Sequence, residues 1–217
     1  KIFVTHPIPD AGLAILRKER TIQLVVRREK TAIARTELLH QVRDSHGLLC
    51  LLTNKIDAAV LRAGQDTLRV VSNYAVGFDN IDIATAHKLK IVVTNTPVPE
   101  MSIAVAEQTI AFVFGLSTHL HQADAYMRAG HYHGWEPELF VGSQIAGKTI
   151  GIVGLGRIGH EVAARAEGVG MRVLYHSPNA KPAYGAHPVD LDTLLRESDF
   201  VSIHVPFKSE TKHLVNA

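Results

Sequence analysis

An α/β protein built on parallel sheets is predicted by three features of this 217-residue sequence. Short apolar runs alternate with stretches whose apolar residues recur at helical spacing, which implies parallel βαβ units. One run, Thr149 to Val153, is apolar almost throughout, as a strand buried on both faces must be. It leads into Gly154-Leu-Gly156-Arg-Ile-Gly159 and then into apolar positions Ile158, Val162, Ala163 and Ala166, giving a strand, a glycine turn and a helix in that order.

Taken in order, residues 1–5 read as a strand and Pro7-Ile-Pro-Asp10 as its punctuation. Residues 11–17 follow as a helix, 21–26 as a strand, 36–42 as a helix and 47–52 as a third strand. A helix over 56–63, a strand over 68–72, a helix over 81–89 and a strand over 91–94 complete an open α/β sheet, closed by Pro97-Val-Pro99. One long helix is predicted over 101–128, with a glycine- and aromatic-rich loop over 130–144. A second unit then supplies strands at 149–153, 172–175 and 200–205 and helices at 156–167 and 191–196. The expected organisation is a first domain over 1–99, a connecting helix and loop over 100–146, and a second domain over 147–217.

Composition narrows the function classes. Hydrophobic residues make up 46% of the chain, enough for a substantial core, and the net charge of +2 with no basic run gives no support for nucleic-acid binding. No apolar segment approaches the ~20 residues needed to span a bilayer, and the N-terminal stretch lacks the apolar region and cleavage site of a secretory signal. Cys50, the one cysteine, sits in an apolar run and reads as a buried structural thiol, which suits a reducing cytoplasm. The 13 histidines do not form a metal set: His119, His121, His131 and His133 diverge around any helix, and no zinc spacing accompanies them.

Strand, glycine turn and helix together form the fingerprint of a dinucleotide-binding half-fold. Gly154 makes the tight turn, Gly156 lets a pyrophosphate approach the backbone, and Gly159 lets the helix pack on the strand, while the helix N-terminus favours negative charge. The next strand normally ends in an acid that bonds the adenine ribose. Here the run is His176-Ser-Pro-Asn179-Ala-Lys181, without a carboxylate near Ser177, so donors from His176, Ser177, Asn179 and Lys181 favour NADP(H) over NAD(H). A complete dinucleotide fold has two such halves. Only one is predicted, so the chain reads as a piece of a longer protein.

Two further stretches are informative. Val71 to Asp82 runs from a strand through Gly77 into an Asp-rich helix start; its backbone N–H groups suit a carboxylate, and Asp79 or Asp82 alternatively serves only as a helix cap. His204 lies before Val205-Pro206, where it either lines the cofactor crevice or sits in the core.

Along its whole length the chain resembles the D-isomer-specific 2-hydroxyacid dehydrogenases, most of all their glyoxylate/hydroxypyruvate reductase branch. The motifs are CLLTNKID (50–57), NYAVGFDNID (73–82), VVTNTP (92–97), VAEQT (105–109), GWEPELFVG (134–142), GKTIGIVGLGRIG (147–159), LLRESDFVSIHVP (194–206) and ETKHLVN (210–216). The resemblance implies a flavodoxin-like substrate domain followed by half of a Rossmann domain. It implies that the Val76 and Gly77 backbone holds a substrate carboxylate beside Leu52. Leu155 to Gly159, chiefly Arg157 and Ile158, would bind the pyrophosphate, and Val205, Pro206 and Thr211 would lie near the ribose groups. NADP-using relatives carry Ser then Arg at the adenosine pocket, and here Pro178 follows Ser177. Trp135 resembles a residue that enters the neighbouring subunit's site, which implies a homodimer. The implied reaction is reduction of a small 2-oxo acid; a phosphoglycerate-type dehydrogenase or an NAD(H)-sensing corepressor are the alternatives. The family's catalytic arginine, acid and histidine correspond to positions beyond Ala217, so no residue present is expected to be catalytic and the 217-residue form is expected to be inactive.

Overall fold

The computed structural model describes residues 1–178, 185–208 and 210–215. They divide into two compact units, Lys1–Val98 and Pro99–Ala217, each with its own parallel sheet and core.

The first unit alternates strand and helix without interruption: β1 (Ile2–Val4), α1 (Asp10–Lys18), β2 (Leu24–Val26), α2 (Arg35–Val42), β3 (Gly47–Cys50), α3 (Ala58–Ala63), β4 (Val70–Asn73), α4 (Ile83–Lys88) and β5 (Val92–Thr94). The strand order is β2-β1-β3-β4-β5, all parallel. Phe3, Leu48 and Val71 from the sheet meet Leu38, Val42, Val60, Leu61 and Ala86 from the helices in one apolar cluster. The order reverses beside β1, so the carboxyl ends of β1, β3 and β4 open onto one edge, where α/β proteins place ligands.

In the second unit α5 (Pro99–Ser117) and α6 (Leu120–Arg128) precede β6 (Thr149–Val153), α7 (Arg157–Gly168), β7 (Arg172–His176), β8 (His187–Pro188), α8 (Leu191–Glu197) and β9 (Phe200–Ile203). All five residues of β6 are buried, as the apolar run requires. Residues 100–146, set apart as a connecting segment by the sequence, cluster with this unit, as does Pro99: Ala106, Ile110 and Val113 of α5 share a core with Val162, Ala163 and Ala166 of α7.

Two sequence expectations need correction here. The single helix over 101–128 is two helices bent by 67°, with His119 between them in the left-handed conformation at φ 54°. The Ser117 and Thr118 hydroxyls both bond back to the Phe114 carbonyl, and the Ser143 N–H takes the Ser117 carbonyl at 2.8 Å. The returning loop thus occupies the acceptor that a continuing helix would use. The second sheet also contains a strand that the sequence reading lacks, β8, giving the parallel order β8-β7-β6-β9. Three strands on one side and β9 on the other make a switch point between β6 and β9. Among the described residues no single helix is long and apolar enough to cross a membrane.

Candidate functional site

At the β6–β9 switch point the glycine turn is fixed by close packing. Gly154 has φ +97°, and a Cβ there would lie 2.7 Å from the His204 carbonyl oxygen and 2.8 Å from the Val205 side chain. Its N–H donates to the His176 carbonyl at 2.9 Å, and the His204 N–H donates to the Val153 carbonyl at 2.8 Å. These bonds gather Gly154, His176, Ser177, Val205 and Pro206 at three adjacent strand ends. A Cβ on Gly159 would overlap the Gly154 carbonyl oxygen, so the first turn of α7 sits directly on the strand end.

Gly156 is different: a Cβ there would meet nothing within 4 Å. It is the N-cap of α7 and offers no side-chain cap, so the N–H groups of the first turn are left for another acceptor. An open cradle over uncapped helix N–H groups fits a pyrophosphate. The Arg157 side chain is exposed beside it and has no carboxylate or carbonyl partner among the described residues. Leu155 is buried in the core, so only its backbone can face a ligand, and Ile158 packs partly buried against that core.

The remaining predicted cofactor residues are placed as follows. Ser177 is half-buried immediately after β7, Pro178 is exposed, and His176 Nδ1 lies 3.2 Å from the Val189 carbonyl. Asn179 and Lys181 lie outside the described residues. The Thr211 hydroxyl donates to the Pro206 carbonyl at 2.7 Å and accepts from the Lys208 N–H at 2.8 Å, so it closes the turn after Pro206. His204 bonds Ser202 Oγ through Nε2 at 2.8 Å, and burial holds its imidazole below the ordinary histidine range.

The first unit carries a second constellation at the carboxyl ends of its strands. Residues Ala75 to Gly77 expose three consecutive carbonyls, and all three are held. Thr96 bonds Ala75 through its N–H (2.9 Å) and its hydroxyl (3.1 Å). Asn95 Nδ2 donates to the Val76 carbonyl at 2.7 Å, and Asn73 Nδ2 donates to the Gly77 carbonyl at 2.8 Å. The N–H groups of Val76, Gly77 and Phe78 have no protein acceptor among the described residues. Leu52, Val76 and Gly77 do come together, for a Cβ on Gly77 would lie 3.6 Å from Leu52 Cδ1. A row of free N–H groups beside exposed apolar side chains can receive an anion carried on a small molecule.

Behind this turn lies a buried polar network that the sequence reading missed. Thr5 Oγ1 donates to Asn54 Oδ1 at 2.6 Å, which also accepts the Leu51 N–H. Asn80 Nδ2 donates to the Leu51 and Asn54 carbonyls, and Asn73 and Asn80 exchange amide bonds at 3.0 and 3.2 Å. The Cys50 thiol, pushed up to about 12 by burial, donates to Asn73 Oδ1. Asp82 caps α4, its carboxyl lowered by the bonds it accepts from the Thr85 N–H and hydroxyl. Among the described residues no three His, Cys, Asp or Glu side chains come together as a metal set. Trp135 belongs to the second unit, exposed over 82% of its surface beside an apolar hollow lined by Tyr126, Met127, Leu139 and Phe140.

Residues 110–217 match the family model described as "D-isomer specific 2-hydroxyacid dehydrogenase, NAD binding domain". Curated relatives extend that likeness over the first unit. A glyoxylate reductase from Thermococcus litoralis is 41% identical over 223 residues, covering 99% of this chain. The chain belongs to the D-isomer specific 2-hydroxyacid dehydrogenase family. It spans 66% of the length of that reductase, and the same share of the glyoxylate reductase from Thermococcus kodakarensis, which is 42% identical. Among solved structures of similar fold, the TT0316 protein from Thermus thermophilus superposes with a TM-score of 0.92 at 37% identity, over 98% of this chain and 67% of that one. A glyoxylate reductase from Paecilomyes thermophila gives 0.80 at 26% identity, over 99% and 67%. Family membership accounts for the glycine turn at a switch point and makes a nicotinamide dinucleotide the cofactor of the second unit.

Proposed function

We propose that the whole protein reduces a small 2-oxo acid, of the glyoxylate or hydroxypyruvate class, to the 2-hydroxy acid with a nicotinamide dinucleotide. The observation that carries this reading is the turn at Val76–Phe78. Its unpaired N–H groups beside Leu52 suit a compact molecule with one carboxylate, and the relatives that match this chain along its length are named glyoxylate reductases.

In this reading Val76 and Gly77 receive the carboxylate through backbone N–H groups, and Leu52 limits the size of the substituent. Gly154 to Gly159 and Arg157 hold the pyrophosphate; His176, Ser177 and Pro178 face the adenosine end; Val205, Pro206 and Thr211 face the ribose groups. When bound there, the dinucleotide supplies the hydride and the protein aligns and shields the reacting centres. The absence of a carboxylate at Ser177 favours NADP(H) over NAD(H). Trp135 acts across a homodimer. No proton-transfer residue is assigned within residues 1–217.

The test is oxidation of NADPH and NADH by the full-length protein with a panel of 2-oxo acids, followed by the loss of reduced-nicotinamide absorbance. Turnover of glyoxylate or hydroxypyruvate, with NADPH preferred, is the expected result. No oxidation with any 2-oxo acid, despite dinucleotide binding, would sink the reading.

A further inference from the structure

A peptide group is planar, and in its trans form the carbonyl oxygen and the following N–H point in opposite directions. No cis peptide occurs among the described residues. Holding the carbonyl of one residue therefore aims the N–H of the next. Around the turn of the first unit this rule applies three times. Thr96 on the Ala75 carbonyl aims the Val76 N–H, Asn95 on the Val76 carbonyl aims the Gly77 N–H, and Asn73 on the Gly77 carbonyl aims the Phe78 N–H.

The three clamps are not equivalent. Thr96 holds Ala75 with a backbone N–H as well as its hydroxyl, so the contact survives loss of the side chain. Asn73 is 1% exposed and embedded in the amide network, so its loss would damage the fold before it altered the turn. Asn95 is alone on Val76: one side-chain amide, 2.7 Å, from the end of β5 and near the surface. It controls the central plane of the three. Nothing else among the described residues holds that carbonyl.

We propose that Asn95 is a positioning residue for substrate selection: by gripping the Val76 carbonyl it aims the Gly77 N–H at the carboxylate of the 2-oxo acid. The proposal rests on the carboxylate reading of the Val76–Gly77 turn. Without that grip the peptide is free to rotate, and a small carboxylate substrate loses its oriented donor. A substrate whose carboxylate is masked has no such donor to lose. Asn95 thus acts on affinity for the acid, and on neither the dinucleotide nor the fold.

Steady-state kinetics of the full-length protein decide this, with a 2-oxo acid compared with its methyl ester. Asn95→Ala is expected to raise KM for the acid about tenfold with kcat nearly unchanged. KM for the ester, KM for the dinucleotide and the melting temperature should stay near wild type. Asn95→Asp has the same shape, cannot donate when ionised and adds a negative charge, so its KM for the acid should rise further still. Equal increases for acid and ester, or an unchanged KM for the acid in both variants, would overturn the role of Asn95. A wild-type protein that turns over acid and ester with equal KM would defeat the carboxylate reading itself, and the two failures are thereby told apart.

Discussion

Gly159 stands so close to Gly154 that a methyl group on the former would overlap the carbonyl oxygen of the latter, whereas a methyl group on Gly156 would touch nothing. One turn therefore contains a glycine demanded by the fold and a glycine whose bare position no packing demands. Gly159→Ala should cost about 1–3 kcal/mol in chemical denaturation, because backbone must move to admit it. Gly156→Ala loses only the N-cap preference for glycine, about 1 kcal/mol or less, yet should sharply weaken dinucleotide binding in a fluorescence titration. Similar losses of stability in both variants would contradict this division.

The amide network behind the Val76–Phe78 turn predicts an asymmetry. Asn54→Ala leaves the buried Thr5 hydroxyl and the Leu51 N–H without their acceptor, whereas Thr5→Val removes one donor and fills its space. The first should destabilise by about 2–4 kcal/mol and the second by about 1 kcal/mol, since an orphaned buried group costs more than a removed one. Urea unfolding curves provide the comparison.

His204 should make stability depend on pH. Burial holds its folded-state pKa below the ordinary 6.5. As pH falls past 6.5 the unfolded chain binds the proton first, so stability is lost progressively toward the lower folded value. Above that window the residue contributes nothing pH-dependent. Asp199 lies along the same groove, already committed to Lys148 and the Thr149 N–H. His204→Gln keeps a partner for Ser202 and should flatten the decline between about pH 7 and 5 in denaturant midpoints.

The Cys50 thiol is buried, bonded to Asn73 and raised to about 12. It should resist a disulfide reagent at about pH 8 in the folded protein and react fully in denaturant, because the thiolate is the reactive species. Rapid native-state labelling would refute its placement.

Trp135 is the only tryptophan in the chain and is largely exposed, so its emission should report association directly. If the full-length protein dimerises through this loop, emission should move to shorter wavelength as concentration rises, and Trp135→Ala should weaken association measured by sedimentation.

Most strands and helices follow from periodicity because parallel sheets leave unbroken apolar runs, as at β6. The helix break at His119 was not legible: no proline marks it, and Gly115 in the last turn of α5 is a residue that helices also tolerate. β8 is two residues long, His187–Pro188, too short for any period. The glycine turn announced its site because glycine there has a steric reason. The asparagines around and behind the Val76–Phe78 turn did not, since Asn at a strand end reads simply as a turn former. Their hydrogen-bond partners lie up to 49 residues away in sequence and exist only once the sheet is assembled.

The placement of α5 bears on how the chain is made. All five strands of the first unit are complete by Thr94, so that unit can fold while synthesis continues. α5 emerges next, but Ala106, Ile110 and Val113 pack against a core supplied by β6 and α7, which are translated later. Until those elements are made, the apolar stripe of α5 has no core of its own to pack on, so its burial waits on synthesis of the second unit.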